Sequence, residues 1–255
     1  MKTPLFVQGL EKLKYLSDEI PEYQISTLRG EISFLMFGST SEFRVRTFFT
    51  KEPETLSWID SFSAGEIFWD IGANIGCYSL YAASRNDITV CAFEPSAVNF
   101  WLLSANVGIN KFSKRLKVYP FALSDRTGIV EWSPDMTPGS ADNQLFKNKQ
   151  DNYVGIQSYS VDDLIAIKAM PFPNHLKLDV DGIEPMILAG AEKTLSDRRL
   201  LSVMVEVDES NKSYIKKITQ LFLSHGFNKP ITRHSPYFDD NYYLPVSNYL
   251  FKRKH

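Results

Sequence analysis

Residues Glu66 to Glu94, EIFWDIGANIGCYSLYAASRNDITVCAFE, constrain the fold of this 255-residue chain more than any other stretch. A short apolar run, Ile67-Phe68-Trp69, ends in Asp70, and a glycine turn, Gly72-Ala73-Asn74-Ile75-Gly76, follows it. A helical pattern over Tyr78 to Ala83 leads to a second apolar run, Ile88 to Phe93, that closes on Glu94. The order is strand, turn, helix, strand, with a carboxylate at the tip of each strand. Parallel strands joined by a helix put their carboxyl ends on one edge, where open α/β sheets bind ligands. Glycines there let the backbone turn tightly and approach a ligand closely. An acid roughly 20 positions beyond the glycines can accept hydrogen bonds from both hydroxyls of a ribose, and Glu94 holds that position.

The spacing bears on which nucleoside is bound. A dinucleotide site needs G-x-G-x-x-G so that a pyrophosphate reaches the helix N-terminus. Here Asn74 takes the place of the middle glycine, and Asp70 adds a negative charge at the strand end. That acid opposes a pyrophosphate and suits a ligand carrying an ammonium and a sulfonium, such as S-adenosylmethionine.

Length sets one large domain, or one domain with a sizeable appendage. With 44% hydrophobic and 23% charged residues the composition is that of a soluble globule. A net charge of −2 leaves no electrostatic footprint for nucleic acid. Cys77 and Cys91 read as small buried apolar groups rather than a bridge or a metal site. No apolar run reaches the length of a membrane span and the N-terminus lacks a signal-peptide pattern, so the expected location is the cytoplasm. Lys252-Arg253-Lys254 reads as a solvated basic tail.

Along the chain, residues 5 to 20 have helical spacing that stops before Pro21, and Ile32–Phe37 with Phe43–Phe48 reads as a hairpin across Gly38-Ser39-Thr40-Ser41. A short helix is expected from about Glu54 to Phe62; residues 1–64 together form an N-terminal cap, and 65–255 the main domain. Further helices are expected from Val98 to Ala105, Val161 to Lys168, Glu184 to Leu195 and Tyr214 to Leu223, the last stopped by Gly226. Strands are expected from Leu116 to Asp125, Ile129 to Trp132, His175 to Gly182 with acids at its end, Leu201 to Glu206, and near Tyr249-Leu250-Phe251. The polar stretch from Ser133 to Tyr153 is long for an inert loop. Alternating strands and helices imply a parallel sheet covered on both faces. Asp70, Glu94, Asp179 and Glu206 then fall at the ends of four strands and line a common cleft.

With these segments in view, the chain resembles the FkbM-type methyltransferases over residues 54 to 207. The motifs are WDIGANIGCYSLYAA, AFEPSAVNFWLLSANVGIN, ALSD, VDDL, and LKLDVDGIEPMILAGA followed by VMVEVD. The family usually has Glu where this chain has Asp181, which keeps the charge with a shorter reach. The resemblance implies a Rossmann-like methyltransferase fold: a mostly parallel seven-stranded sheet with an antiparallel last strand and helices on both faces. It implies that Asp70, Gly72, Asn74 and Gly76 surround the methionine part of S-adenosylmethionine, that Glu94 binds the ribose, and that Ser124 and Asp125 approach the adenine. It also implies O-methylation of a hydroxyl on a sugar, glycan or secondary metabolite.

Methyl transfer to an alcohol requires in-line positioning and a group that takes the proton. Asp179, with Glu206 or Asp181 beside it, is the expected source of that function. No metal-ligand spacing stands out, although carboxylates without a nearby cysteine suit magnesium better than zinc. His175 begins its strand, away from the cleft, and reads as structural. Tyr237, Phe238, Tyr242 and Tyr243 are candidates to stack on an acceptor ring. The rival classes are a nicotinamide-dependent oxidoreductase, a nucleic-acid methyltransferase and a non-catalytic partner that keeps the fold.

Overall fold

The computed structural model describes residues 20–133, 136–140, 144–145, 153–168, 170–180, 182–235, 237 and 245–254. The helix expected over residues 5 to 20 lies outside them apart from Ile20, as do Asp181, Phe238, Tyr242 and Tyr243. The first two strands, β1 (Glu22–Thr27) and β2 (Gly30–Leu35), pair antiparallel around Leu28 and Arg29. The hairpin is thus earlier than its sequence reading, and Phe43–Phe48 is not its second strand. Those residues belong largely to a helix, α1 (Ser39–Arg46). Ser41, Val45 and Phe48 are buried at helical spacing, and Arg46 Nε meets Glu42 Oε1 one turn away at 2.6 Å. The apparent alternation through Phe43, Val45 and Thr47 is outweighed by this four-residue period.

A second helix, α2 (Pro53–Asp60), starts on proline, which loses nothing at a first helical position. The nucleotide-type unit then runs β3 (Ile67–Ile71), α3 (Cys77–Ser84), β4 (Thr89–Phe93), α4 (Ala97–Ile109) and β5 (Leu116–Tyr119). The strand expected to continue to Asp125 stops at Tyr119, because Pro120 has no N–H to extend the ladder. Its continuation, β6 (Ala122–Leu123), joins a second sheet with β7 (Gly128–Ser133), β8 (Gln144–Leu145) and β9 (Val154–Tyr159) in the order β6-β9-β7-β8.

After α5 (Val161–Ala166) and β10 (His175–Leu178), the expected long helix appears as two, α6 (Glu184–Ala189) and α7 (Glu192–Ser196). Gly190 makes the break: a side chain there would overlap the Ser124 carbonyl oxygen and crowd Ser160. The chain ends through β11 (Ser202–Asp208), α8 (Lys212–Ser224), β12 (Ile231–His234) and β13 (Val246–Lys252). Among the described residues, seven strands form the main sheet in the order β12-β13-β11-β10-β3-β4-β5. Neighbours are parallel except β13, which runs antiparallel to both β11 and β12.

Alternation along β3 divides the core. Phe68 joins an apolar cluster with α3, α4 and the N-terminal elements, whereas Trp69 and Ile71 join one with α5, α6 and α8. Asn106 and Asn110 of α4 bond the Leu35 and Ser33 backbone at 2.8 and 2.9 Å, so helix side chains occupy the outer edge of β2. The expected basic tail is also corrected: Arg253 donates to the carbonyls of Leu195, Asp197, Leu200 and His225, at the exposed ends of α7 and α8. Cys77 and Cys91 are free thiols, each pushed up to about 12 by burial. No described helix is long and apolar enough to cross a membrane.

Gly190→Ala is expected to destabilise the fold by about 1–3 kcal/mol, since the new methyl has no room against the Ser124 backbone. Urea unfolding would read this as a lower midpoint at unchanged slope.

Candidate functional site

The glycine turn is bonded almost entirely to itself and to β4. Gly72 and Ala73 both donate to the Phe93 carbonyl at 3.0 Å, Ile75 donates to Asn74 Oδ1 at 2.9 Å, and Gly76 donates to the Ala73 carbonyl at 2.9 Å. Asn74 donates its N–H to Glu94 Oε2 at 2.8 Å. All five backbone N–H groups from Gly72 to Gly76 are therefore used inside the chain. Asn74 has a φ of 52°, a left-handed conformation that asparagine tolerates and most residues do not. Gly72, at φ 84°, lies against the end of β10 so closely that any side chain would overlap the Asp179 carbonyl.

These residues border a cavity of about 660 Å³ of empty space, open solvent included. Gly72, Asn74, Glu94 and Asp179 line it. The opposite wall is apolar, built by Phe121, Leu123, Trp132 and Ile183, with Arg44 and Ser140 also on its border. Ser140 is pinned there: its carbonyl accepts from Asn74 Nδ2 at 2.8 Å and from Asn99 Nδ2 at 3.1 Å, while Asn99 Oδ1 accepts from the Gly139 N–H.

The other expected residues sit elsewhere. Asp70 is buried behind the turn, where Ser79 Oγ donates to it at 2.5 Å, and Gly76 begins α3 without lining the cavity. Ser124 follows Leu123 but is buried beneath the wall, its hydroxyl turned to Asp125 at 3.0 Å. Neither Ser124 nor Asp125 lines the cavity. Glu206 borders a neighbouring groove with Glu184, Asn211, Ser213, Tyr214 and Lys217, where the Tyr214 hydroxyl is buried with no hydrogen-bond partner among the described residues. Tyr237 packs edge-on against Phe43, ring centroids 5.5 Å apart. His175 lies at the far end of β10, between Ser202 Oγ at 2.7 Å and Glu66 Oε2 at 2.8 Å, and stacks on Phe62.

Asp179 and Glu206 meet in a charge cluster that also holds Glu52, each offering a carboxylate oxygen within 4.8 Å of the others. That spacing suits a cation, and the chain itself brings two. Lys177, fully buried on β10, has its Nζ 2.5 Å from Asp179 and 3.9 Å from Glu52; Lys51 lies 3.0 Å from Glu52. Burial alone would lower the Lys177 ammonium, but Asp179 and Glu52 hold it well above its usual value. Burial would raise Asp179 and Glu52, yet Lys177 and Lys51 keep both below the ordinary carboxylate range. Burial and the Asp179 charge push Glu206 well above it, so Glu206 is the harder of the two to ionise.

The methyltransferase FkbM domain model matches residues 70–229. The chain belongs to the FkbM methyltransferase family.

Two relatives are similar in sequence. Hexuronic acid methyltransferase AglP of Haloferax volcanii is 26% identical over 164 residues, 64% of this chain and 66% of that protein. The 31-O-demethyl-FK506 methyltransferase FkbM of Streptomyces tacrolimicus is 28% identical over 193 residues, 64% of this chain and 73% of that protein. Among solved structures, the METTL16 methyltransferase domain aligns with a TM-score of 0.51 at 14% identity, covering 100% of this chain and 94% of its own. A putative rRNA-methylase from Clostridium thermocellum aligns at 0.50 and 9% identity, covering 81% and 97%. The fold is the Rossmann-like one of S-adenosylmethionine-dependent methyltransferases.

Four site residues lie outside the FkbM match and were missed from sequence: Arg44, Lys51, Glu52 and Asn248, whose Nδ2 donates to Glu52 at 3.2 Å. Lys177 lies inside it, and a lysine in an apolar strand two residues before Asp179 was the available signal. Lys177→Met is expected to cost about 3–5 kcal/mol at neutral pH, because it strands buried carboxylates. Unpaired, these acquire raised pKa values, so the loss should shrink as pH falls and they take up protons. Chemical denaturation at two pH values would measure both.

Proposed function

We propose that this chain is an S-adenosylmethionine-dependent O-methyltransferase acting on a hydroxyl of a sugar, glycan or secondary metabolite. The observation that carries the reading is the self-bonded turn. With the N–H groups of Gly72 to Gly76 all spent, it offers a pyrophosphate no cradle of the kind nicotinamide cofactors use. The cavity opens at the carboxyl edge of the sheet, the place where open α/β sheets bind nucleosides. Phe121, Leu123, Trp132 and Ile183 suit a flat base, and Glu94 suits the ribose hydroxyls. Gly72, Asn74 and Asp179 border the remaining end, which suits the methionine part. Asp70 acts from behind, as a buried acid bonded to α3 through Ser79. Ser124 acts on the adenine wall through its backbone, whose N–H donates to the Tyr159 carbonyl at 2.9 Å directly after Leu123, and Asp125 accepts from its hydroxyl.

When bound, the donor supplies a methyl group made electrophilic by its sulfonium. Asp179 faces the donor cavity and Glu206 the adjoining groove, so the pair marks the junction where an acceptor hydroxyl meets that methyl. Asp179, the ionised member, takes the hydroxyl proton. As the new C–O bond forms, the acceptor oxygen becomes strongly acidic, and a carboxylate of depressed basicity is sufficient. Lys177 fixes Asp179 in position, and Asp181, outside the described residues, is kept as a further candidate for the same function on its sequence position alone. The groove, with Tyr214, Asn211, Ser213 and Lys217, presents the mixed aromatic and polar lining that suits a polyol acceptor. The hexuronic acid and FK506 methyltransferases named above support a sugar or secondary metabolite as acceptor class.

Asp179→Asn is expected to reduce turnover by a factor of about 100 or more while leaving donor affinity within a few-fold, measured by labelled-methyl transfer and calorimetry. Unchanged turnover would remove Asp179 from the chemistry.

Glu94 sets a pH dependence. Burial raises its carboxyl to about 7 although the N–H groups of Ser96 and Asn74 oppose this. The raised group favours the folded apo protein below its unfolded pKa, and that contribution is lost as pH rises through about 7. Donor binding has the opposite sense, since the ribose hydroxyls and a cationic ligand favour the ionised form. Affinity should therefore fall about tenfold per pH unit below 7 and level off above it, with proton release on binding. Calorimetry in buffers of different ionisation enthalpy would show the release, and Glu94→Gln should abolish it.

A further inference from the structure

We infer that Arg44 forms the subsite that receives the α-carboxylate of the methyl donor, an inference that rests on the donor reading above. S-adenosylmethionine carries two positive groups, the sulfonium and the ammonium, and one negative group, the carboxylate. The cavity wall carries two acids, Glu94 on the ribose side and Asp179 at the methionine end, and neither can receive the carboxylate. For the carboxylate, the most direct source of donors in such folds would be a turn at a helix N-terminus. In this chain the turn itself supplies none, because every N–H from Gly72 to Gly76 already donates within the chain.

Arg44 is the cationic side chain among the described lining residues. It projects from α1, ahead of the stretch matched by the FkbM model. Its Nε donates to the Gly139 carbonyl at 2.5 Å, which fixes the plane of the guanidinium. Gly139 is in turn held by Asn99, and the next residue, Ser140, by Asn74 of the turn. Arg44 is thus tied to the turn's end of the cavity, where the methionine part belongs. With Nε engaged, the two terminal NH₂ groups form the fork that matches a carboxylate. No family pattern in the first 50 residues marks this position, so only the folded chain connects Arg44 to the donor.

The test is calorimetric titration of wild type and Arg44→Gln with S-adenosylmethionine and with its decarboxylated analogue, the full chain being used throughout. Wild type should bind S-adenosylmethionine about tenfold or more tighter than the analogue, and R44Q should lose most of that difference while binding the analogue nearly as wild type does. Equal losses on both ligands, or no loss on either, would overturn the assignment. If R44Q does not fold by circular dichroism, the wild-type comparison still decides, since equal affinity for the two ligands overturns it. Wild type that binds neither ligand refutes the donor reading itself; wild type that binds S-adenosylmethionine with R44Q unchanged refutes Arg44 alone.

Discussion

The carbonyl oxygen of Phe93 accepts two N–H groups, from Gly72 and Ala73, and the carboxyl edge of the sheet depends on that pair of hydrogen bonds. It ties the turn to the end of β4 and sets the distance to Glu94, one residue on. On the other side the bare Cα of Gly72 lets the Asp179 carbonyl approach. Three strand ends are drawn together at one glycine. Asn74 completes the arrangement from a left-handed conformation, with its amide used on both ends, to Ile75 and to Ser140.

Buried charge is the second constraint. An ion removed from water costs several kcal/mol unless partners replace the solvent. Four carboxylates near this edge, Glu52, Asp70, Asp179 and Glu206, share two ammonium groups, those of Lys51 and Lys177. The shortage is eased by raised proton affinity: burial pushes Asp70 up to about 6, and burial with the Asp179 charge pushes Glu206 well above the ordinary carboxylate range. Acids of very different proton affinity therefore stand side by side, and the lysine spacing decides which one is ionised. The arrangement separates a charged group from a neutral one without any difference in residue type.

Much of this was legible from the chain alone. The unit from Glu66 to Glu94 appears as read, because its glycines, its apolar runs and its terminal acids all favour one local structure. The failures have separate causes. Phe43 to Phe48 satisfies both a two-residue and a four-residue period, and tertiary burial of Ser41, Val45 and Phe48 selects the latter. Gly190 breaks a helix for reasons of close packing against Ser124, a contact invisible in a linear pattern. Pro120 was a readable stop that the apolar residues around it obscured. Glu52 and Arg44 lack any local signature, since they matter only through residues far along the chain. Asp70, Ser124 and Asp125 were placed at the right edge but not in the cavity wall, because a strand's polar tip can turn toward a neighbouring helix as readily as toward solvent.

The antiparallel strand β13 has a consequence for biosynthesis. It lies between β11 and β12, an interior position, although it is reached after every other described strand. On the ribosome, β11 therefore keeps a bare ladder edge until residues 246–252 emerge, and Glu52 waits as long for Asn248. A nascent chain in that interval has an unpaired apolar strand and an incomplete charge cluster, the kind of edge that invites wrong pairing. Closure of the sheet is thus tied to the emergence of residues 246–252, which delays assembly of the acidic edge until they have been translated.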